Sequence, residues 1–230
     1  MIRSTSQMPS YLIESLKQIS TPKQYKKGSL LFSHGTKADH LYLILSGKVK
    51  LLMTTPDGKE IILSLAQAND LVGESALFVS QTMHTYSVQA LTRVQVGLIQ
   101  KNTLEEELYR STKLTDEFLK WMGTRNCRMQ LRIRDLLLKG KQGALYSTLI
   151  RMANSYGRWG EKDVTIELPI TIKDLAGLTG MQRESVSRLM KELREKEIIT
   201  INDGYITIHQ INLLRTSIDC ETCPLEYCQI

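Results

Sequence analysis

The chain contains no apolar run of about 18 or more residues, so no transmembrane helix and no membrane partner are expected. Its first residues, "MIRSTSQMPSYLIESLKQIS", lack the apolar core and small-residue cleavage site of a secretory signal. They read instead as a short helix from about Pro9 to Ser20. The expected location is cytoplasmic, where disulfides are rare. Low-complexity segments are absent. A Walker loop, an HExxH pair and a nucleophile elbow are absent too, and no enzyme is expected. Cysteine is scarce, at four residues, yet three of the four crowd into "CETCPLEYC", Cys220 to Cys228. The spacing C-x2-C-x4-C suits soft-metal ligation, by zinc or by an iron–sulfur cluster. A redox dithiol at Cys220–Cys223 and plain coincidence are equally open at this point. Cys127 lies in a helical stretch and reads as a small packing residue.

What is present suits an ordinary globular protein of one large or two small domains. The 230 residues are 42% hydrophobic and 23% charged, with net charge +6. That charge permits a polyanionic partner without requiring one. From about Tyr25 to Leu98 short apolar-alternating runs are separated by turn signals such as Ser46-Gly47 and Asp57-Gly58. This pattern predicts a small antiparallel β-barrel or double-sheet roll. From Lys101 to about Leu138, Leu104, Leu108, Phe118, Met122, Met129, Ile133 and Leu136 recur at helical spacings. One long helix is expected, or two broken near Ser111-Thr112. Its apolar stripe is too long for one small barrel to bury and is read as a dimer seam. "KGKQG", Lys139 to Gly143, is read as a break, with a new helix from about Ala144 to Tyr156.

The segment from Pro169 onward carries the most specific pattern. Thr171 and Asp174 resemble a capping box opening a short helix to about Leu178. Thr179-Gly180 makes a tight turn. A second helix, about Gln182 to Lys196, keeps Val186, Leu189, Met190 and Leu193 on one face. "IITINDGYITI" then reads as a hairpin across Asn202-Asp203-Gly204, completing a winged helix-turn-helix. The second helix of such a motif enters the major groove by its N-terminal end. The residues there are Arg183, Glu184, Ser187 and Arg188, off the apolar face. Arginine can pair with guanine O6 and N7, and glutamate can accept from cytosine N4. Lys173, Lys191, Arg194 and Lys196 are candidates for phosphate contact. The blander alternative is a surface helix with an i,i+4 pair between Glu184 and Arg188.

A β-roll, a long helix and a winged helix-turn-helix, in that order over about residues 20–215, resemble the CRP/FNR family of bacterial transcription regulators. "DLVGESALF", Asp70 to Phe78, resembles the cyclic-nucleotide-binding roll signature, and "RESVSRLMKEL", Arg183 to Leu193, resembles the recognition helix. The resemblance implies an α+β fold with a β-roll sensory-type domain and N-terminal helix at 1–100, a dimerisation helix at 101–140, a winged helix-turn-helix at 141–215 and a cysteine tail at 216–230. It implies a homodimer on palindromic double-stranded DNA, with RNA polymerase as a further partner. Arg183, Glu184 and Arg188 sit where the CRP branch carries its base-reading residues, so TGTGA-like half-sites are expected. Glu184, Ser187 and Arg188 also match the Glu-x-x-Ser-Arg of the FNR branch, for which TTGAT is the second choice. Gln182 departs from a good N-cap.

In the cyclic-nucleotide branch a Gly-Glu holds the ribose and a later Arg-Ser pair holds the phosphate. Gly73-Glu74 is present, but the later pair aligns to His84-Thr85, so no cyclic AMP binding is expected and His84 is read as a surface residue. No cysteine occurs in residues 1–30, where the best-known FNR proteins carry most of their cluster ligands. The tail and "IRDLLLKGKQGALYSTLIR", Ile133 to Arg151, resemble instead the Bacillus-type FNR proteins. In these, three C-terminal cysteines and an aspartate hold a 4Fe-4S cluster. The resemblance nominates Cys220, Cys223, Cys228 and Asp135 as the ligands of one cluster per subunit in an oxygen-responsive anaerobic regulator. A same-fold regulator with a zinc or thiol redox site, or a cyclic-nucleotide-responsive module, is the alternative. Asp135 without a metal is expected to pair with Arg132, Arg134 or another basic neighbour.

Overall fold

A computed structural model describes residues 8–79, 83–220 and 223–230. The described chain forms two compact units that meet in sequence at Gly123 and Thr124.

The first unit is a two-sheet roll with helices on one side. It opens with α1 (Ser10–Gln18), which buries Leu12 and Leu16, four residues apart on one helix face. Eight strands follow: β1 (Thr21–Tyr25), β2 (Leu30–Phe32), β3 (His40–Ser46), β4 (Lys48–Thr54), β5 (Glu60–Gln67), β6 (Leu71–Val72), β7 (Ser87–Ala90) and β8 (Val94–Gln100). They form two antiparallel sheets, ordered β1-β8-β3-β6 and β2-β7-β4-β5. Both turn signals lie where strands reverse, and Gly47 and Gly58 take φ of +89° and +80°. At Gly47 a Cβ would come within 2.4 Å of the Arg93 carbonyl oxygen, so glycine is required there.

Strand β3 is buried on both faces. Leu41 and Leu43 join α1 in one core with Leu104, Leu108, Phe118 and Trp121, whereas Tyr42 and Ile44 join the core between the sheets. The period of two in a strand makes this division. The helical segment after the roll is two helices, α2 (Lys101–Arg110) and α3 (Thr112–Leu138). Extended Ser111 separates them, and its Oγ accepts a hydrogen bond from the Leu114 amide at 3.2 Å. Of the apolar stripe read as a dimer seam, Leu104, Leu108 and Phe118 are instead buried in the roll's own core with Met122 packed against it, because α1 and β3 present an apolar face to them. Leu136 is half-buried, and Met129 and Ile133, with Leu119 and Leu137, are exposed in the single chain.

The second unit holds the end of α3, then α4 (Gly140–Tyr156), β9 (Gly157–Trp159), β10 (Val164–Ile166), α5 (Ile172–Thr179), α6 (Arg183–Glu195), β11 (Ile199–Asn202), β12 (Tyr205–Ile208) and α7 (Ile211–Thr216). The expected break over Lys139 to Gly143 shrinks to the Lys139-Gly140 junction, where Gly140 takes φ +64°. Gly143 is not a breaker. A Cβ there would meet the Lys139 side chain at 2.5 Å, so it is a close-approach glycine inside a buried helix. The capping box is present: Thr171 Oγ1 accepts from the Asp174 amide at 3.1 Å, and Asp174 Oδ2 accepts from the Thr171 amide at 3.2 Å. Gly180, at φ +70°, ends α5. The expected hairpin β11–β12 is half of a four-stranded antiparallel sheet, β11-β12-β10-β9. Strands β9 and β10 are too short, at three residues each, for their alternation to stand out in the sequence.

Candidate functional site

The helix after the Gly180 turn begins at Arg183, preceded by extended Gln182 with no side-chain cap. It buries Val186, Met190 and Leu193, with Leu189 half-buried. Arg183, Glu184, Ser187 and Arg188 are all exposed on its first two turns. At about 100° per residue these four span an arc of about 140° on the side away from the core. Arg188 lies 4.0 Å from Glu192, an exposed i,i+4 pair, instead of facing Glu184. Such a pair is weak and leaves the guanidinium available to a stronger acceptor. Lys173, Lys191, Arg194 and Lys196 are exposed around the same two helices.

In the roll, Gly73 and Glu74 are joined through one phenol. The Gly73 amide donates to Tyr86 Oη at 2.9 Å, and that hydroxyl donates to Glu74 Oε2 at 3.2 Å. His84 is not a surface residue, contrary to the expectation from its sequence position. It is 3% exposed and stacks on Phe32, ring centroids 3.7 Å apart. Burial holds its imidazole below the ordinary value of 6.5, against a pull from Asp39. The signal was legible: His84, Tyr86, Val88 and Ala90 are all buried at a period of two, and the inward face of β7 extends back to His84. Exposed Thr85 points the other way.

The end of α3, α4 and the tail enclose a cleft within the second unit. Cys220, Cys223, Cys228, Arg134, Asp135 and Arg151 are among its lining residues. The four nominated ligands, from positions 135 to 228, thus share one cleft. Among the described residues no three His, Cys, Asp or Glu side chains converge as tightly as ligands of a single ion do. Burial pushes the Cys220 thiol up, with the neighbouring Cys223 adding to it. Burial also pushes the Cys228 thiol up, with Arg151 pulling the other way. Both are protonated near neutral pH, and a metal would release those protons on binding.

Asp135 is buried and fully engaged. Its Oδ2 accepts from Ser147 Oγ at 2.7 Å, from Arg151 Nη2 at 2.7 Å and from Arg151 Nε at 3.3 Å. Its Oδ1 accepts from Arg134 at 3.0 and 3.2 Å. Burial works against the charged form, but the hydrogen bonds from Ser147 and Arg151 hold this carboxyl below its ordinary value. Its partners are therefore Arg134 and Arg151, not Arg132. Arg132 Nη2 instead donates to the Leu178 carbonyl at 2.8 Å, at the end of α5. Burial and the nearby Arg151 bring Arg132 down to about 10.

The tail is tied down through its main chain. Arg128 Nε donates to the Glu226 carbonyl at 2.7 Å. Arg151 Nη1 donates to the carbonyls of Tyr227 at 2.9 Å and Gln229 at 3.3 Å. Asn154 Nδ2 donates to the Cys228 carbonyl at 2.8 Å, and Ser155 Oγ accepts from the Ile230 amide at 3.0 Å. Reasoning from the sequence missed Arg151, Ser147, Asn154 and Arg128. A signal existed in α4, where Ser147, Arg151, Asn154 and Ser155 form a polar stripe along the buried stretch that also carries Leu145, Leu149, Ile150, Met152 and Ala153.

Two family models match the chain: a cyclic nucleotide-binding domain over residues 22–111 and a Crp-like helix-turn-helix domain over residues 143–217. The chain is 45% identical over 222 residues to the "Anaerobic regulatory protein" of Bacillus subtilis strain 168, covering 96% of this chain and 93% of that protein. It is 24% identical over 200 residues to a CRP-like cAMP-activated global transcriptional regulator of Mycobacterium tuberculosis, covering 87% of this chain and 88% of that one. The fold matches the solved structure of FixK2 from Bradyrhizobium japonicum with TM-score 0.76 at 17% identity, covering 89% of this chain and all of that one (100%). The roll, the helix-turn-helix and these relatives agree, and the chain belongs to the CRP/FNR family as a DNA-binding transcription regulator, not an enzyme.

Proposed function

We propose that this chain is an oxygen-responsive regulator that binds palindromic promoter DNA as a homodimer and carries one 4Fe-4S cluster per subunit on Cys220, Cys223, Cys228 and Asp135. One observation carries the reading: three thiols and a carboxylate, up to 93 positions apart, line a single cleft. The donor set fits an iron–sulfur group. Thiolates are soft ligands, and donors spread around a cleft suit a group with several binding points better than a single ion. The relative's name, "Anaerobic regulatory protein", supports an oxygen-linked role.

When bound, such a cluster supplies an oxygen-labile link between the tail and α3. The residues of the chain carry that link onward. Asp135 stands three positions after Arg132, whose guanidinium grips the last turn of α5. Helix α5 leads through Gly180 into α6, so the end of α3 is bonded to the DNA-reading motif itself. The exposed stripe of Leu119, Met129, Ile133 and Leu137 supports a seam between two copies of α3. Two copies would bring two α6 helices to successive major grooves, with Arg183, Glu184, Ser187 and Arg188 reading TGTGA-like half-sites. RNA polymerase is the expected partner at the promoter.

The roll does not bind cyclic AMP in this reading. No arginine stands at the phosphate position, His84 is buried against Phe32, and Glu74 is bonded to Tyr86. The test is anaerobic purification with visible spectroscopy and iron and sulfide analysis. A brown protein with about four irons and four sulfides per chain is expected. A colourless protein that instead retains zinc, or no metal, overturns the reading.

A further inference from the structure

Arg151 is 2% exposed, in the C-terminal half of α4, and its guanidinium faces two ways. Two of its nitrogens, Nε and Nη2, donate to Asp135 Oδ2. The third, Nη1, donates to the carbonyls of Tyr227 and Gln229, the residues on either side of Cys228. One planar group thus spans the two nominated ligands that lie farthest apart in sequence. We propose that Arg151 is the positioning residue of the ligand set, holding the Cys228 main chain against Asp135 before any iron arrives. This rests on the cluster reading above.

The chemistry suits arginine and excludes its nearest substitute. Charge-assisted hydrogen bonds are the strong ones, and a guanidinium offers five donors in a rigid fork. Lysine keeps the charge but directs its donors from a single nitrogen, which cannot serve a carboxylate and two carbonyls on opposite sides. The two oxygens of Asp135 are held unequally. Oδ2 has Ser147 and buried Arg151, and Oδ1 has Arg134, whose side chain is 30% exposed. Arg134 is the more exposed of the two arginines, so in this proposal Oδ1 is the oxygen that would be given to a metal. Arg151 and Ser147 would then continue to hold Oδ2, as groups behind a metal ligand commonly do. Arg134 is the resident partner that leaves, and Arg151 is the partner that stays.

The first arm uses the cluster-free full chain under anaerobic, reducing conditions. Iodoacetamide alkylation is followed by mass spectrometry at each cysteine, for wild type, Arg151→Lys and Arg151→Gln, with circular dichroism to verify folding. Cys228 is expected to alkylate about tenfold faster in both variants, while Cys127 keeps its rate. The second arm loads the same proteins with ferrous iron and sulfide. Arg151→Lys is expected to retain the product about 10–100-fold less well, whereas Arg134→Gln retains it at least as well as wild type. Wild type that takes up no iron and sulfide overturns the cluster reading. Wild type that loads, with Arg151→Lys matching it in lifetime and in Cys228 reactivity, overturns the role of Arg151 alone.

Discussion

The roll and the cysteine cleft both bury charged and polar groups, but to opposite ends. In the roll, Glu74 is bonded to a tyrosine hydroxyl and His84 lies flat on Phe32, so the groups close on one another. In the cleft, Arg151 and Asp135 form a buried pair at 2.7 Å that leaves three thiols around an opening. The family architecture is kept in both units. In the first unit aromatic side chains close around Glu74 and His84, whereas in the second the C-terminal tail leaves its thiols lining a cleft.

The largest effect is expected from the thiols. Cys220→Ser, Cys223→Ser or Cys228→Ser should each abolish iron and sulfide uptake and cluster-dependent DNA binding, read by iron analysis and anaerobic gel shift. The roll should be untouched. Near wild-type iron content in any one variant would remove that cysteine from the set.

Asp135→Ala should come next. It leaves Arg151 buried without its carboxylate, a loss of about 3–5 kcal/mol by analogy with other broken buried pairs. Urea denaturation of the cluster-free chain measures this, and iron lifetime under air measures the ligand role. Unchanged stability would mean that Arg151 finds another acceptor. Unchanged iron content and oxygen lifetime would remove Asp135 as the fourth ligand.

Arg183→Ala should weaken DNA binding by about 1–3 kcal/mol and relax the preference at one guanine, measured by titration with TGTGA and TTGAT half-sites. Equal binding of both sites by wild type, unaltered by the substitution, would exclude Arg183 from base reading. For the roll, calorimetry with millimolar cyclic AMP should give no saturable heat, and a micromolar Kd would mean that another cation replaces the missing arginine.

The smallest expected effect is the pH dependence of the roll. Its folded-state histidine value is depressed, so the unfolded chain binds a proton more readily. Stability is therefore retained above the ordinary value of 6.5 and lost as pH falls from there toward the lower folded value. His84→Gln should flatten this slope in denaturation curves taken across that window. An unchanged slope would assign it to other groups.

Much of the chain was legible because its signals are local. The Thr171–Asp174 box, the Gly180 turn, the Ser46-Gly47 and Asp57-Gly58 reversals and the apolar face of α6 each depend on residues a few positions apart. Their physics is that of caps, left-handed turns and helical period, which one stretch of sequence contains whole. The cysteine spacing and the exposed face carrying Arg183, Glu184, Ser187 and Arg188 belong to the same class. Tertiary structure alone decided which groups meet across long separations. It placed Phe32 under the His84 ring, added β9 and β10 to the β11–β12 hairpin and turned Arg132 toward Leu178. It also put Arg151 between Asp135 and the carbonyls of Tyr227 and Gln229. Those carbonyls belong to the main chain, which every residue carries, so no side-chain pattern could reveal them. A buried guanidinium must find acceptors wherever the fold brings them, and only packing determines which ones are in reach.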